Sequence, residues 1–267
     1  MSVSLNSNTI VSQSNISSIF GSQVNEYIIG NDVLTIGDNA FSNCSEMTSV
    51  IIPMSVTTIG DSAFRGCSKL SSVTIPSSVK SIGFWAFSGC GKLFTVFLNS
   101  NSITSKEYDV SKTIGSIFGQ QVTEYIFGED VKSISQYAFK GCEKMTSLSI
   151  PESVKYIGKS AFYDCKGLTS VTIGKNVNSI GDDAFGNCTN IEALSLNCKK
   201  IGNWFGASKA KVTSITFGNE VEEIGTSAFD GFTGITSVNI PKSVTCIGEY
   251  NQEIEGETNV EIIPVSA

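Results

Sequence analysis

The dipeptide Ala-Phe recurs at a spacing that leaves few folds open to this chain. It stands at Ala40-Phe41, Ala63-Phe64 and Ala86-Phe87, at Ala138-Phe139, Ala161-Phe162 and Ala184-Phe185, and again at Ala228-Phe229. Within each group of three the period is 23 residues. A complete unit runs from Leu70 to Cys90 and reads LSSVTIPSSVKSIGFWAFSGC. A unit this short cannot bury its own apolar side. Stacked copies bury theirs as one continuous core, so a repeat solenoid is the architecture the spacing predicts.

A variant unit is interleaved with the standard one. It reads IFGSQVNEYIIGNDV from Ile19 and IFGQQVTEYIFGEDV from Ile117, with a looser copy, WFGASKAKVTSITFGNEV, from Trp204. One variant plus three standard units forms a super-repeat, since Phe20, Ala40 and Leu98 map onto Phe118, Ala138 and Leu196. The expected organisation is a single solenoid domain over 1–267. Its super-repeats cover 16–113 and 114–200, with a partial copy over 201–267. Val3-Ser-Leu5 aligns with Val96-Phe-Leu98, and Ile263-Pro264 falls one period after Ile240-Pro241. Both ends therefore read as cuts through a longer array.

Within a unit, Leu-x-x-Val-x-Ile alternates and is stopped by Pro or Gly, the pattern of a short strand. Ten such strands are predicted, at 24–29, 47–52, 70–75, 93–98, 122–127, 145–150, 168–173, 191–196, 212–217 and 235–240. Val-x-x-Ile-Gly is a second extended piece. Asp-x-Ala-Phe, at Asp38, Asp61 and Asp182, has the look of an N-capped helical turn. The prediction is one parallel sheet along one face, with short helical turns and irregular segments on the other.

Charge and composition remove several functions. The chain is acidic, with a formal charge of -7 and a pI near 4.7. Nucleic acid and anionic membrane surfaces want the reverse. No apolar run approaches the ~20 residues of a membrane span, so no membrane insertion is expected. There is no histidine, which takes away the commonest general base and zinc ligand together, and Arg65 is the only arginine. Glu222-Glu223, Asp182-Asp183 and Glu253/Glu255 are near neighbours in sequence but fall in turns, as a solvated surface would have them. No glycine pattern makes a phosphate loop. No cofactor, no metal and no catalysis are expected.

Cys44, Cys67, Cys90, Cys142, Cys165 and Cys188 share one repeat position, while Cys198 and Cys246 lie off it. A zinc site would want paired ligands such as Cys-x-x-Cys, which are absent. A disulfide ladder is opposed by geometry, because translated copies point the same way and keep the full inter-strand spacing between Cβ atoms. Buried free thiols, small apolar fillers able to reach loop carbonyls, are the preferred reading. Phe232 at the same position of the last clear unit agrees with an apolar interior. The Asn-x-Ser/Thr triplets at Asn15, Asn43 and Asn187 are expected by chance in so Ser/Thr/Asn-rich a chain.

The unit resembles the BspA-like, or Treponema pallidum type, class of leucine-rich repeats. The residues that carry the resemblance run from Ile150-Pro151 through Val154, Ile157-Gly158 and Ala161-Phe162 to Cys165, and the pattern recurs along nearly the whole chain. The resemblance implies a surface or secreted protein of the kind known from oral and gut bacteria and from mucosal protists. It implies adhesion to host matrix proteins, other cells or microbial partners, and no enzyme activity. A protein partner is expected, with a glycan as the alternative ligand. A rigid spacer or stalk, or an intracellular interaction scaffold, are the competing functions.

Strand alternation selects where such a partner would sit. The x positions of Leu-x-x-Val-x-Ile point outward and are mostly Ser or Thr. Phe94 and Phe97 break that hydroxyl lawn, as do Glu124 and Ile126 on the next strand, so these four are the predicted binding site. Glu26, Ile28 and Ile51 form a secondary candidate. One structural alternative stays open at this point: the inserted stretch 100–113 could fold over Phe94 and Phe97 and bury them.

Overall fold

A computed structural model describes residues 2–13, 15–206 and 211–248. The chain divides into two compact units, Met1–Val131 and Lys132–Ala267. Each is a right-through stack of parallel coils. The part of the last coil that carries Glu253, Glu255 and Ile263-Pro264 lies outside the described residues.

In the first unit the long strands are β1 (Ser2–Leu5), β2 (Glu26–Ile29), β4 (Ser49–Ile51), β6 (Ser72–Ile75), β8 (Thr95–Leu98) and β9 (Glu124–Phe127). They pair in parallel as β1-β2-β4 and β6-β8-β9. The pieces Val-x-x-Ile-Gly supply a second ladder, β3 (Thr35–Ile36), β5 (Thr58–Ile59) and β7 (Ser81–Ile82). In the second unit the long ladder is β11 (Ser147–Ile150), β13 (Ser170–Ile173), β15 (Ala193–Leu196) and β17 (Ser214–Phe217). Its two-residue strands are β10 (Ser133–Ile134), β12 (Tyr156–Ile157), β14 (Ser179–Ile180), β16 (Lys200–Ile201), β18 (Glu223–Ile224) and β19 (Cys246–Ile247). The predicted solenoid is thus present, and the extended pieces add a narrow ladder to the broad one.

The strands are shorter than the alternation suggested. Only the last three or four residues of each pattern pair, because the leading Leu, Met or Ile reaches the core from a turn. The predicted strand at 235–240 does not form: Ile235 and Val238 are half-exposed and flank an apolar cavity of about 280 Å³ with Phe229 and Phe232. Phe232 fills a cysteine-sized position with a ring, which tilts against Phe229 at 5.9 Å and opens the coil.

The Ala-Phe turn is not helical. The residue before Ala holds a left-handed backbone in every unit, with φ between 51° and 57° at Asn39, Ser62, Trp85, Tyr137, Ser160, Asp183 and Ser227. A helix cannot pass such a residue. The aspartate expected to cap its own helix serves the next coil instead. Asp38 Oδ1 accepts from the Asp61 N–H at 2.8 Å, and Asp61 Oδ1 accepts from the Phe84 N–H at 2.7 Å. The glycine just before is required by that close approach, since a Cβ on Gly83 would stand 2.3 Å from Asp61 Oδ1 and 2.4 Å from its backbone nitrogen.

The Ala-Phe phenylalanines form a column through each core. Phe41, Phe64 and Phe87 stack at 5.1 and 4.9 Å with rings 2° and 8° from parallel, and Phe139, Phe162 and Phe185 do so at 5.2 and 5.3 Å. The spacing is close to the ~4.8 Å that parallel strands impose. The variant units keep the column with Phe118, 5.1 Å from Phe87, and Phe205, 5.4 Å from Phe185. They differ behind it. Helices α1 (Asn8–Gln13), α2 (Ile16–Phe20), α3 (Asn101–Thr104) and α4 (Ile114–Phe118) all belong to the first unit, where they replace the short strand and turn of a standard coil.

A row of thiols runs beside each column. Cys67 Sγ donates to the Phe41 carbonyl at 3.2 Å, Cys90 to Phe64 at 3.1 Å, Cys165 to Phe139 and Cys188 to Phe162 at 3.2 Å each. These four thiols thus reach back to the preceding coil, while Cys44 meets the Tyr27 hydroxyl at 3.7 Å. All eight cysteines are free. The adjacent Cys90 thiol and burial push the Cys67 thiol well above its ordinary range, and burial does the same for Cys165.

Candidate binding surface

Phe94, Phe97, Glu124 and Ile126 come together on one three-stranded sheet of the first unit, β6-β8-β9. The register sets Thr74 beside Phe97 and Phe97 beside Ile126, with Ser72, Thr95 and Glu124 in the parallel row. Phe94 lies just ahead of β8. Its N–H donates to the Ser71 carbonyl at 3.1 Å, and its own carbonyl accepts from the Thr123 and Glu124 N–H groups at 2.9 and 3.0 Å. The ring is held at 49% exposure, Ile126 at 38%, and Phe97 and Glu124 are half-buried. Thr95 Oγ1 donates to Glu124 Oε2 at 3.2 Å, which orients the one carboxylate of the row.

The 100–113 stretch does not cover these rings. Its beginning is anchored on the narrow ladder, where Ser100 Oγ donates to the Val79 carbonyl and α3 packs beside β7. Tyr108 is buried and donates to the Ile103 carbonyl at 2.9 Å, and Lys112 Nζ sits 5.0 Å from the centre of the Phe84 ring. The insertion departs from the array on the side away from the broad sheet, because what it replaces is a short strand and a turn.

The secondary candidates fall on β1-β2-β4. The register there sets Ser4 beside Ile28, Ile28 beside Ile51 and Glu26 beside Ser49. Ile28 is 44% and Ile51 68% exposed, more than any of the four primary residues except Phe94 in the first case. Ile28 and Ile51 occupy the same repeat position as Phe97 and Ile126. Counting coils through the first unit, it reads Ile28, Ile51, Thr74, Phe97 and Ile126, with β4 and β6 as neighbours. Offsets of 23 in the sequence contain this row as far as Phe97, and the inserted stretch lengthens the last step to Ile126. In the second unit the equivalent position reads Ser149, Thr172, Ser195 and Thr216, paired in register.

The carboxylate pairs are surface features. Glu222 meets Lys199 Nζ at 2.7 Å and Glu223 meets Lys200 Nζ at 2.8 Å, all substantially exposed. Among the described residues no group of three or more Cys, Asp and Glu could hold a metal ion, and no helix is long and apolar enough to cross a membrane. One exposed pair escaped the sequence reading: Phe84 and Trp85, at turn positions that elsewhere hold Asp, Asn or Ser in most coils. The departure from that pattern was the available signal.

The model of the BspA type leucine rich repeat region matches the chain in overlapping stretches over 17–127, 112–208 and 132–253. Solved structures resemble it as well. A leucine-rich repeat protein from Bacteroides ovatus is 22% identical, with 93% of this chain and 74% of that one covered and a TM-score of 0.47. A leucine rich cell surface protein from Faecalibacterium prausnitzii is 25% identical over 73% of this chain and 63% of that one, with a TM-score of 0.31. The leucine rich repeat protein of T. pallidum is 22% identical over 78% and 77%, with a TM-score of 0.35. No functionally curated protein sequence matches. Two stacks of coils built on an Ala-Phe column, a thiol row and two parallel ladders place the chain in the BspA-type leucine-rich-repeat family.

Proposed function

We propose that this protein is a non-catalytic cell-surface adhesion module that takes a protein partner on the broad sheet of its first unit. Leucine-rich repeats of this kind are protein-interaction modules in general. One observation carries the finer reading: the outward row holds Ile28, Ile51, Phe97 and Ile126 among its Ser4 and Thr74 hydroxyls in the first unit and only Ser and Thr in the second, on cores of the same design. Exposed apolar side chains at such positions add nothing to the core and lower solubility, which makes a contact surface the economical explanation. Phe94 and Phe97 are its aromatic anchors, Ile126 extends the apolar strip, and Glu124 supplies a fixed acceptor. Ile28 and Ile51, with Glu26 at their edge, continue it. Interface energy concentrates in a few such anchors, each worth ~2 kcal/mol or more. The partner expected is a host matrix or cell-surface protein.

The hydroxyl face of the second unit favours a second role for that part, as a spacer that carries the binding surface without adding to it.

The experiment is a Phe94→Ser/Phe97→Ser double variant, which extends the hydroxyl row across β8. Binding to cultured host cells or immobilised matrix protein should fall at least tenfold, ~1.4 kcal/mol, while Tm holds or rises slightly. Full binding with unchanged Tm would remove the site from this sheet.

A further inference from the structure

The geometry points to a second binding site on the first unit, at the Phe84-Trp85 turn and the adjoining 106–112 segment, that takes a neutral sugar ring. It is separate from the sheet surface proposed above and does not depend on it. The turn is anomalous in three ways. Asp38 and Asp61 pass a hydrogen bond from coil to coil, and the relay ends at Phe84, which has no acceptor to offer the next one. Trp85 follows in the left-handed backbone conformation with φ 54°, where a bulky side chain is unusual. The two rings remain outside, with Phe84 37% and Trp85 60% exposed and their centroids 6.3 Å apart. The first unit thus presents a wide aromatic shelf where its other coils present small polar groups.

The surroundings select the ligand. Lys106, Glu107, Asp109 and Lys112 line a recess on the Phe84 side of the shelf, two charges of each sign. Asp109 is set rigidly, accepting from the Ser111 N–H at 2.8 Å, the Ser111 hydroxyl at 2.6 Å and the Lys112 N–H at 2.9 Å. The Lys112 ammonium is already engaged over Phe84. A polyanion would meet carboxylates and a cation would meet ammoniums, so balanced charge favours an uncharged ligand. An extended peptide would need the free edge of β7, and α3 stands there. The recess among these residues holds only about 60 Å³, so the ligand lies on the surface and not in a pocket. A pyranose suits this combination. Its C–H face stacks on an indole, and its rim hydroxyls donate to carboxylates and accept from ammoniums.

The chain has two tryptophans, Trp85 and Trp204, and Trp204 is only 7% exposed, so iodide quenching of native fluorescence reads Trp85. The full chain is titrated with neutral gluco-, galacto- and manno-oligosaccharides, and passed over the same sugars immobilised. At least one series should shield Trp85 saturably. Retention on that sugar should fall tenfold or more in Trp85→Ser and in Phe84→Asp, with Tm unchanged or raised in Trp85→Ser, since Ser62 and Ser160 hold the same backbone. Retention should survive Phe94→Ser/Phe97→Ser. Four results overturn the assignment: no neutral oligosaccharide shields Trp85 at about 10 mM, a weak-binding ceiling; Trp85→Ser is retained as before; only sulfated glycans bind, with loss in salt; or Trp85 is shielded by raising protein concentration alone, which assigns the shelf to a second copy.

Discussion

The two units share a core and differ on their surfaces. Phe64 and Phe162 are each fully buried in a ring column, and Cys67 and Cys165 each donate to a phenylalanine carbonyl one coil back. Yet the outward row is Ser4, Ile28, Ile51, Thr74, Phe97 and Ile126 in one unit and Ser149, Thr172, Ser195 and Thr216 in the other. Among the described residues the four helices, the inserted 100–113 stretch and the Phe84-Trp85 turn also belong to the first unit. The comparison separates positions that make a coil stack from positions that are free to vary. Inward residues are constrained by the coil on either side, whereas outward ones answer only to solvent or to a partner.

The largest effects should be equal in the two units. Phe64→Ala and Phe162→Ala each remove a ring held between two others, at 5.1 and 4.9 Å in the first case and 5.2 and 5.3 Å in the second. Each should cost about 3–5 kcal/mol in urea titration. A cost below about 1 kcal/mol for either one would break the equivalence of the cores.

Smaller, and also shared, is the contribution of the thiols. Folding raises the pKa of Cys67 through its Cys90 neighbour and burial, and that of Cys165 through burial. The folded chain keeps these protons after the unfolded chain has begun to lose them, near pH 8.5. Their stabilisation is therefore complete below that pH and is lost as pH rises above it. Tm should decline between pH 8 and pH 10, and Cys67→Ala and Cys165→Ala should lessen the decline alike. Thiol titration without reductant should find half-exposed Cys246 reactive in the native protein and the buried seven only in denaturant. A mass showing bridges among the register cysteines would end the thiol-row account.

The smallest effect concerns the ion pairs that join lysine and glutamate in adjacent coils, Lys69 with Glu46 in the first unit and Lys199 with Glu222 in the second. Both are open to solvent, where such pairs contribute little. Lys69→Met and Lys199→Met should leave Tm within the scatter of replicate melts. A clear drop in one unit alone would show that its surface, too, takes part in holding the stack.

Much of this was legible in the sequence, for a physical reason. Periodic burial writes itself into composition, so the counterparts of Val73, Ile75, Phe87 and Cys90 mark six of the standard coils. Strand alternation likewise put Phe94, Phe97, Glu124 and Ile126 outside. What escaped depends on contacts with a neighbouring coil. Asp61 looked like a cap for its own turn, and only the stacked structure shows its oxygen on the Phe84 N–H. The side taken by 100–113 was undecidable from alternation, because an insertion's direction is set by the element it replaces. Trp85 lies outside the strand alternation that marks exposed positions, at a turn position that is just as periodic.

The thiol and turn-aspartate links between coils give the stack a direction. Cys67, Cys90, Cys165 and Cys188 donate towards the coil before them, and Asp38 and Asp61 accept from the coil after them. At these thiol and aspartate positions a coil presents an acceptor on one side and a donor on the other, like the two faces of a brick with a tongue and a groove. Copying a coil in place preserves every joint, and so does deleting a whole one. A coil entered in the reverse sense would set donor against donor. Lineages of such arrays can lengthen and shorten freely, while their polarity is inherited unchanged.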